Sequence, residues 1–138
     1  MKHNSVVESP DLTVHVVSGV VRADELRDKA IEFLTVAPTP LALWDFSEAD
    51  FSELTTPSLV LVFDALVPYM QNRRGGKSAL LFQSTVGFGL GRLSEALAEV
   101  REFPYEFKAF SNREDALLWL KMPNGRNGEE TNGDEGVA

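Results

Sequence analysis

The sequence has no cysteine and only two histidines among its 138 residues. Without cysteine, the chain can form no disulfide bond, no zinc–thiolate site and no thiol nucleophile, which suits a reducing compartment. His3, in an N-terminal segment that we expect to be flexible, and His15, on a strand face, have no sequence partner for a metal site or a catalytic triad. These absences exclude cysteine-based catalysis, and we expect neither a metal nor a cofactor.

Long apolar runs and a targeting signal are also missing. No apolar stretch reaches the roughly 18 residues of a membrane span, and the opening MKHNSVVESPD lacks a basic segment followed by an apolar one. Positive charge is scarce, because 13 Lys and Arg stand against 21 Asp and Glu, for a formal net charge of -8. Nucleic-acid binding depends on neutralising phosphates. We therefore expect a cytoplasmic protein with no membrane span and no nucleic-acid partner.

Apolar residues make up 43% of the chain, which is enough for the core of one domain. After residue 122 the composition changes, because PNGRNGEETNGDEGVA is rich in glycine and acidic residues and has almost nothing apolar. Such a segment cannot bury enough surface to offset the entropy lost on ordering. We predict a single domain over residues 1–122 and a disordered, acidic, glycine-rich tail over 123–138.

The apolar pattern alternates between strand and helix periods in the order β-β-α-β-α-β-α-β-α. Strands separated by helical segments indicate parallel pairing with right-handed crossovers, and strict alternation near Tyr105 indicates an edge strand. The predicted fold class is α/β, with a mostly parallel sheet of four or five strands and about four helices. The predicted strands are 5–7, 12–18, 41–46, 79–82 and 105–109; a capping box at 111–114 opens a last helix anchored in the core by Trp119 and Leu120.

The segment 58–70, SLVLVFDALVPYM, is apolar nearly all round, so that residues 58–64 fit either a helix or a buried strand. Thr56 as an N-cap, with Pro57 at the first helical position, favours a helix over 57–72. The second face of this helix is more apolar than a solvated face, and it consists of Val60, Asp64 and Val67. It indicates either a wide core face or a contact with a partner or a second copy of the chain.

Two segments resemble parts of nucleotide-binding motifs. Gly76-Lys77-Ser78 lacks the earlier glycine of a P-loop and precedes a strand instead of following one, so it predicts only a solvated basic turn that includes Arg73 and Arg74. The run 87–91, GFGLG, lacks the spacing of a dinucleotide fingerprint but lies between a strand and a helix start. It is either a tight turn or an anion or small-ligand site, whose residues would be Gly87, Gly89, Gly91 and Arg92.

Acidic residues cluster after the third predicted strand. They are Asp45, Glu48, Asp50 and Glu53, and their spacing is not that of a calcium loop. We expect a solvated loop there and no metal site.

The segment 44–60, WDFSEADFSELTTPSLV, resembles the stretch after the central strand in the anti-sigma-factor antagonist (STAS) superfamily, with the pattern D-L-S-x-V-x-F-x-D-S-S-G-L. The matching residues are Asp45, Phe46, Ser47, Asp50 and Phe51. The segment EDALLWL is similar to the closing-helix motif E-x-A-x-x-W-L of the SpoIIAA-like branch, and Ser18-Gly19-Val20 is similar as well. The resemblance covers about residues 5–121 and implies the same order of elements.

The resemblance also implies a function and a candidate modification site. Proteins of this kind are bacterial regulators, and their D-S-S-G sequence carries a phosphorylatable serine. Glu53-Leu54-Thr55-Thr56-Pro57 replaces that sequence here. Thr55 and Thr56 are therefore either candidate phosphoacceptors or hydroxyls that only cap the helix, in a STAS-like scaffold that has lost the phosphorylation switch.

Two functional hypotheses follow. The first is a non-enzymatic regulatory or protein-interaction module, of the sigma-factor or stress-signalling type, that binds a kinase or sigma regulator or forms a homodimer. Its candidate partner-binding residues are Asp50, Glu53, Val60, Asp64 and Val67. The second is a domain that binds a small molecule or lipid, apolar or anionic, with the 87–91 turn and the 57–72 helix, and a dry apolar pocket beside Phe88 would favour it. No general base stands near a nucleophile in the sequence, so we do not expect an enzyme.

Overall fold

Five strands form one sheet in which the spatial order of the strands is their order in the chain, β1-β2-β3-β4-β5, in a computed structural model that describes residues 1–123. β1 and β2 pair antiparallel as a hairpin, and β2 to β5 pair parallel. The predicted α/β class, mostly parallel sheet and four helices are therefore confirmed, with a mixed sheet as the refinement. The strands are β1 (Lys2–Ser9), β2 (Leu12–Val20), β3 (Leu41–Asp50), β4 (Lys77–Leu81) and β5 (Glu106–Phe110).

The helices divide unequally between the two faces of the sheet. They are α1 (Ala23–Val36), α2 (Thr56–Leu66), α3 (Thr85–Val100) and α4 (Arg113–Lys121), with a 3₁₀ helix at Val67–Arg73 after α2. Right-handed crossovers between strands that always advance the same way put α1, α2 and α3 on one face. The last helix, α4, packs on the other face.

Each face therefore has its own core. The three-helix face buries a large cluster that includes Phe33, Trp44, Phe46, Phe63, Leu80 and Phe82. The α4 face buries a smaller aliphatic cluster made of Val14, Leu43, Ala79, Leu81, Ala116 and Leu120. Leu120 is a core residue as predicted, whereas Trp119 is half-buried at the edge of the α4 cluster.

The segment after β3 is helical, so the helix interpretation of residues 58–64 is confirmed. The predicted N-cap was wrong by one residue, because Thr55 caps α2 and Thr56 is the first helical residue. The Thr55 hydroxyl accepts a hydrogen bond from Ser58 N, and Ser58 Oγ accepts one from Thr55 N, which makes a reciprocal capping box. Near Pro68 the α-helix gives way to the 3₁₀ helix, as a proline inside a helical run requires.

The predicted glycine turn was wrong, because α3 begins at Thr85 and contains the whole 87–91 run. Ser84 is the N-cap, and its hydroxyl accepts a hydrogen bond from Gly87 N. A Cβ on Gly91 would collide with the Phe82 ring, and one on Gly87 would lie 2.9 Å from Phe82 Cδ1. These two glycines let α3 lie close against the sheet.

Two further local predictions were corrected. Asn112, and not Ser111, caps α4, because the Asn112 side chain accepts from Asp115 N. His3 lies within β1 and not in a flexible segment, because the hairpin with β2 pairs it with Val17.

The tail was predicted over residues 123–138, and all of it except Pro123 lies outside the described part of the chain. Among the described residues, no helix combines the length and apolar character needed to cross a membrane.

Candidate functional site

The first candidate region is the loop between β3 and α2, where the resemblance to STAS proteins is strongest. Asp50 ends β3, is exposed, and accepts a hydrogen bond from Ser52 N at 2.8 Å, which lowers the pKa of its carboxyl. Glu53 is exposed, with its carboxylate 3.9 Å from the Arg22 guanidinium. Thr55 is exposed, and its hydroxyl takes part in the capping box at the positive end of the helix dipole.

The second candidate phosphoacceptor, Thr56, is exposed on the first turn of α2. Ser58 is a third hydroxyl in this turn, and its Oγ donates to the Thr55 carbonyl at 2.8 Å. Thr55 and Thr56 were predicted from the sequence as candidate phosphoacceptors, and Ser58 was not. The structure brings Thr55 and Ser58 into direct contact.

The candidate partner-binding residues lie at both ends of α2, roughly 15 Å apart by helix rise. Asp50 and Glu53 lie before its N-terminus. Asp64 near its C-terminus forms an ion pair with Arg101, and Val67 beyond it is exposed. Val60 is half-buried and packs against the core. These residues therefore do not form one continuous face.

The solvent-facing stripe of α2 has a different composition, which the sequence did not single out. Its exposed members are Pro57, Leu61, Asp64 and Pro68, spaced as successive turns on one side of a helix. Leu61, in the middle of α2, is 67% exposed. The i, i+4, i+7 spacing was the signal that could have identified this stripe.

The glycines proposed for anion binding do not converge on an open site. Gly87 and Gly91 are buried against the sheet, whereas Gly89 is exposed. Arg92 is exposed and lies 3.6 Å from the Glu95 carboxylate. Gly87 N already donates to Ser84 Oγ. Anion binding at these residues remains an untested prediction.

The second candidate region is a cavity of about 80 Å³ between the sheet and helices α1, α2 and α3. Apolar side chains from all three helices and from β3, β4 and β5 line it, and several of them, including Leu26, Ala30 and Leu90, are only half-buried. The cavity is therefore not sealed from solvent. Phe88 does not line it, although the 57–72 segment does, through Leu59, Val62, Phe63 and Leu66.

Among residues 1–123, Arg73 is the one charged residue that lines the cavity, although a solvated turn was predicted for it from the sequence. It is only 4% exposed, and Arg73 and Lys77 are both buried, in contrast to exposed Arg74. The Arg73 guanidinium donates to the carbonyls of Thr39, Pro40 and Lys77 and to Ser78 Oγ, at 2.7 to 3.0 Å. Burial lowers its pKa to about 10, which leaves it charged at neutral pH.

Aromatic rings and a hydroxyl surround this guanidinium. The Phe33 and Tyr105 rings lie 5.1 and 4.6 Å from its central carbon, within cation–π distance. Burial raises the pKa of Tyr105 to about 12, so its hydroxyl stays protonated. No sequence motif predicted this arrangement, because Arg73 and Tyr105 are 32 positions apart and meet only through the fold.

His15 belongs to the same face of the sheet. It is 2% exposed and stacks on Trp44, with ring centroids 3.8 Å apart, and His15 Nδ1 lies 3.0 Å from His3 Nε2. Burial, then the neighbouring His3 and then Arg73 lower the pKa of His15 to about 3. Its Nε2 has no hydrogen-bond partner. His15 is therefore neutral in the folded protein.

Over residues 1–123, no three His, Asp or Glu side chains come together in an arrangement that could hold a metal ion. Asp45, Glu48 and Asp50 lie within β3, so the predicted solvated loop was wrong for them, and the loop begins only after Asp50. The Asp45 and Asp50 carboxylates accept hydrogen bonds from nearby residues. Asp45 accepts from Ser47 and from Arg113, and Asp50 accepts from Ser52.

The architecture is that of the SpoIIAA fold, which confirms the resemblance at the level of the fold. The solved structure of the anti-sigma factor antagonist SpoIIAA in its unphosphorylated form is 14% identical, with a TM-score of 0.55, and the match covers 89% of this chain and 100% of that chain. The structure of the Bacillus cell fate determinant SpoIIAA in the phosphorylated form is 15% identical, with a TM-score of 0.52, over 87% and 100%. No protein-family model and no curated protein matches the chain.

Proposed function

We propose that this protein is a cytoplasmic, non-enzymatic regulatory module that binds a protein partner in the manner of an anti-sigma factor antagonist. The observation that carries the proposal is the exposed stripe of α2, with Leu61 at its centre, on a SpoIIAA fold. Exposed apolar residues on successive turns of one side of a helix, here Pro57, Leu61 and Pro68, form a patch of the kind that marks interaction surfaces. Asp50 and Glu53 add negative charge where the partner would reach the start of α2.

The partner class follows from the resemblance, which points to a serine kinase or a sigma regulator. Negative charge in the loop favours a partner with a basic surface around an apolar groove. A homodimer through the same stripe is the other occupant that the binding experiment can detect.

The binding test uses two matched leucines. Leu61 and Leu118 are 67% and 63% exposed, and they lie on helices on opposite faces of the sheet. We expect Leu61→Asp to abolish capture of the chain by purified serine kinases and sigma regulators of the source organism, and Leu118→Asp to leave it intact. Equal capture of both variants would contradict the proposed surface, and loss of self-association in Leu61→Asp alone would identify the occupant as a second copy.

We also propose that Thr55 or Thr56 is the phosphoacceptor. A phosphate at the start of α2 would be stabilised by the helix dipole, although Asp50 and Glu53 oppose it by repulsion. Phosphorylation of Thr55 would also convert its hydroxyl, which accepts a hydrogen bond from Ser58 N in the capping box, into a phosphate ester.

Mass spectrometry of the protein from its native cells tests this site. The expected result is phosphate on Thr55 or Thr56, and phosphate confined to Ser58 would move the switch one turn into the helix. The unmodified cap is tested separately, because Thr55→Ala should lower the free energy of unfolding by about 1 kcal/mol and Thr56→Ala by less.

A second candidate function is ligand binding, which the cavity beneath α1, α2 and α3 favours. Its walls include part of the 57–72 segment predicted for this role, and from the 87–91 run they include Leu90 but none of the glycines. The two functions are compatible, because the stripe of α2 faces solvent and the cavity lies under the opposite side of the same helix.

A further inference from the structure

Arg73 is a buried cation whose described hydrogen-bond partners are all uncharged. Four of its five N–H groups donate to three backbone carbonyls and one serine hydroxyl. No carboxylate among residues 1–123 forms an ion pair with it. Buried charges in proteins are normally paired with an opposite charge, because desolvation of an unpaired ion is costly. The buried Arg73 guanidinium therefore lacks a negatively charged partner among residues 1–123.

The groups around Arg73 all present donors to the cavity. The remaining N–H of the guanidinium is on Nη1, which also donates to Ser78 Oγ. Since Ser78 accepts that bond, its own proton is available to a ligand. The Tyr105 hydroxyl interacts with the guanidinium and stays protonated, so it can donate as well. A guanidinium charge with two hydroxyl donors beside it, at one end of an apolar cavity, favours an oxyanion over a neutral molecule or a cation.

The rest of the cavity wall determines what kind of group can extend from the oxyanion of the ligand. Apart from Arg73, Ser78, Ser94 and Tyr105, the lining side chains are apolar. Ser94 Oγ donates to the Leu90 carbonyl within its own helix, so it offers nothing further to a ligand as a donor. The space of about 80 Å³ is roughly half that of an engineered protein cavity that binds benzene. It suits a short hydrocarbon group and not a long acyl chain.

We propose that this cavity binds a small aliphatic monocarboxylate, of about two to four carbons, whose carboxylate contacts Arg73, Ser78 and Tyr105. The hydrocarbon part lies against the apolar side chains of α1, α2 and α3. This inference rests on the ligand-binding candidate above and is independent of the partner surface on α2. It names the chemical class of the ligand and the residue that selects it.

The test compares two probes of nearly equal shape, propionate and propionamide, titrated into the full chain in a carboxylate-free buffer. The readouts are the NMR signals of Arg73 Nε–H and of the Tyr105 ring. We expect propionate to shift both signals and to bind at least about tenfold more tightly than propionamide, a difference of about 1.4 kcal/mol. Sodium chloride at the same ionic strength is the control for non-specific screening.

The outcomes distinguish a failure of the carboxylate proposal from a failure of ligand binding by the cavity. Equal binding of propionate and propionamide at these signals would overturn the carboxylate proposal and leave a neutral ligand site standing. No shift with either probe would overturn both. Tighter binding of octanoate than of propionate would also contradict the proposed ligand, because it would identify a long acyl chain as the preferred group.

A pair of α3 variants locates the site without touching Arg73. Ser94 lines the cavity, whereas Ala96 on the same helix is exposed. Ser94→Leu should fill the cavity and weaken propionate binding at least about tenfold, and Ala96→Leu should leave binding unchanged. If Ser94→Leu keeps its native spectrum and still binds propionate as the parent does, the cavity is not the site.

Discussion

The two faces of the sheet are covered by different kinds of side chain. The three-helix face stacks aromatic rings, with His15, Trp44 and Phe46 successive along it, and it encloses a cavity and a buried guanidinium. The α4 face contains small aliphatic side chains, and Leu43, Ala79 and Ala116 on it have no exposed surface. One face thus has the irregular packing and buried polarity typical of a functional site, and the other is a closed core.

A buried cation on each face sharpens the contrast. Lys77 on the α4 face extends its ammonium to the end of α4 and donates to the carbonyls of Trp119 and Met122, at 2.7 and 2.6 Å. Both carbonyls lie at the C-terminal end of α4, and the Trp119 carbonyl also accepts from Met122 N, so Lys77 adds to the cap of this helix. The Arg73 side chain on the opposite face does not cap a helix end and instead lines a cavity. The same kind of charge is structural on one face and available to a ligand on the other.

The largest predicted difference between the faces concerns these two cations. Arg73→Met removes donors from four buried acceptors, and we expect it to lower the free energy of unfolding by about 3 kcal/mol or more. Lys77→Met should lower it by only about 1 kcal/mol, because water at the exposed end of α4 can replace the lost bonds. Urea unfolding of both variants measures the two values.

Equal costs for the two variants would break the comparison. Arg73→Lys is the matched control for charge, since it keeps a cation but lacks the planar fork that reaches several acceptors. We expect it to recover less than half of the stability lost in Arg73→Met.

The second prediction concerns pH and belongs to the three-helix face alone. The pKa of His15 is about 3 in the folded protein, against an ordinary value of 6.5. Between these values the unfolded chain binds a proton that the folded protein does not, so the stabilisation is fully present above pH 6.5 and is lost as the pH falls toward 3. Lowering the pH from 7 to 5 should reduce the free energy of unfolding by about 2 kcal/mol from His15.

His15→Phe keeps a ring to stack on Trp44 and removes the titration, so its stability should fall less between pH 7 and 5. The charged and titratable neighbours of His15 are His3 and Arg73, and both remain in this variant. Identical pH profiles for the two proteins would show that His15 is protonated without penalty.

The smallest predicted effect tests the packing of the faces with one substitution on each. Ala30 lines the cavity, and Ala30→Leu should raise the free energy of unfolding by up to about 1 kcal/mol by burying apolar surface in empty space. Ala116 is fully buried against the other face, and Ala116→Leu should lower it by about 1–3 kcal/mol through overpacking. Destabilisation by Ala30→Leu would indicate that the cavity cannot accommodate added atoms.

The order of the elements could be predicted from the sequence because each strand and helix has its own apolar period and its own cap. Residues 58–64 were ambiguous by period, and the helix start at 55–57 decided them correctly. Errors of one residue arose at both caps, because Thr55 and Thr56, or Ser111 and Asn112, are chemically equivalent choices until the backbone is known.

The candidate site was predicted less well, for a physical reason. The same sequence fits a solvated basic turn and a turn whose arginine is buried. Which of the two forms depends on whether Thr39, Pro40 and Ser78 approach the guanidinium. The glycines at 87–91 likewise signal close backbone approach. Whether they approach a ligand or the Phe82 ring is a matter of tertiary structure.

The sequential order of the strands has a consequence for synthesis on the ribosome. Each strand pairs with the one made just before it, so the sheet can grow from one edge to the other as the chain emerges. The helix that closes the second face is made last, and until it docks, Leu43, Ala79 and Leu81 remain open to water. A chain released from the ribosome before Arg113 is added therefore has all five strands but one uncovered face of the sheet, which makes it prone to aggregate unless a chaperone binds it.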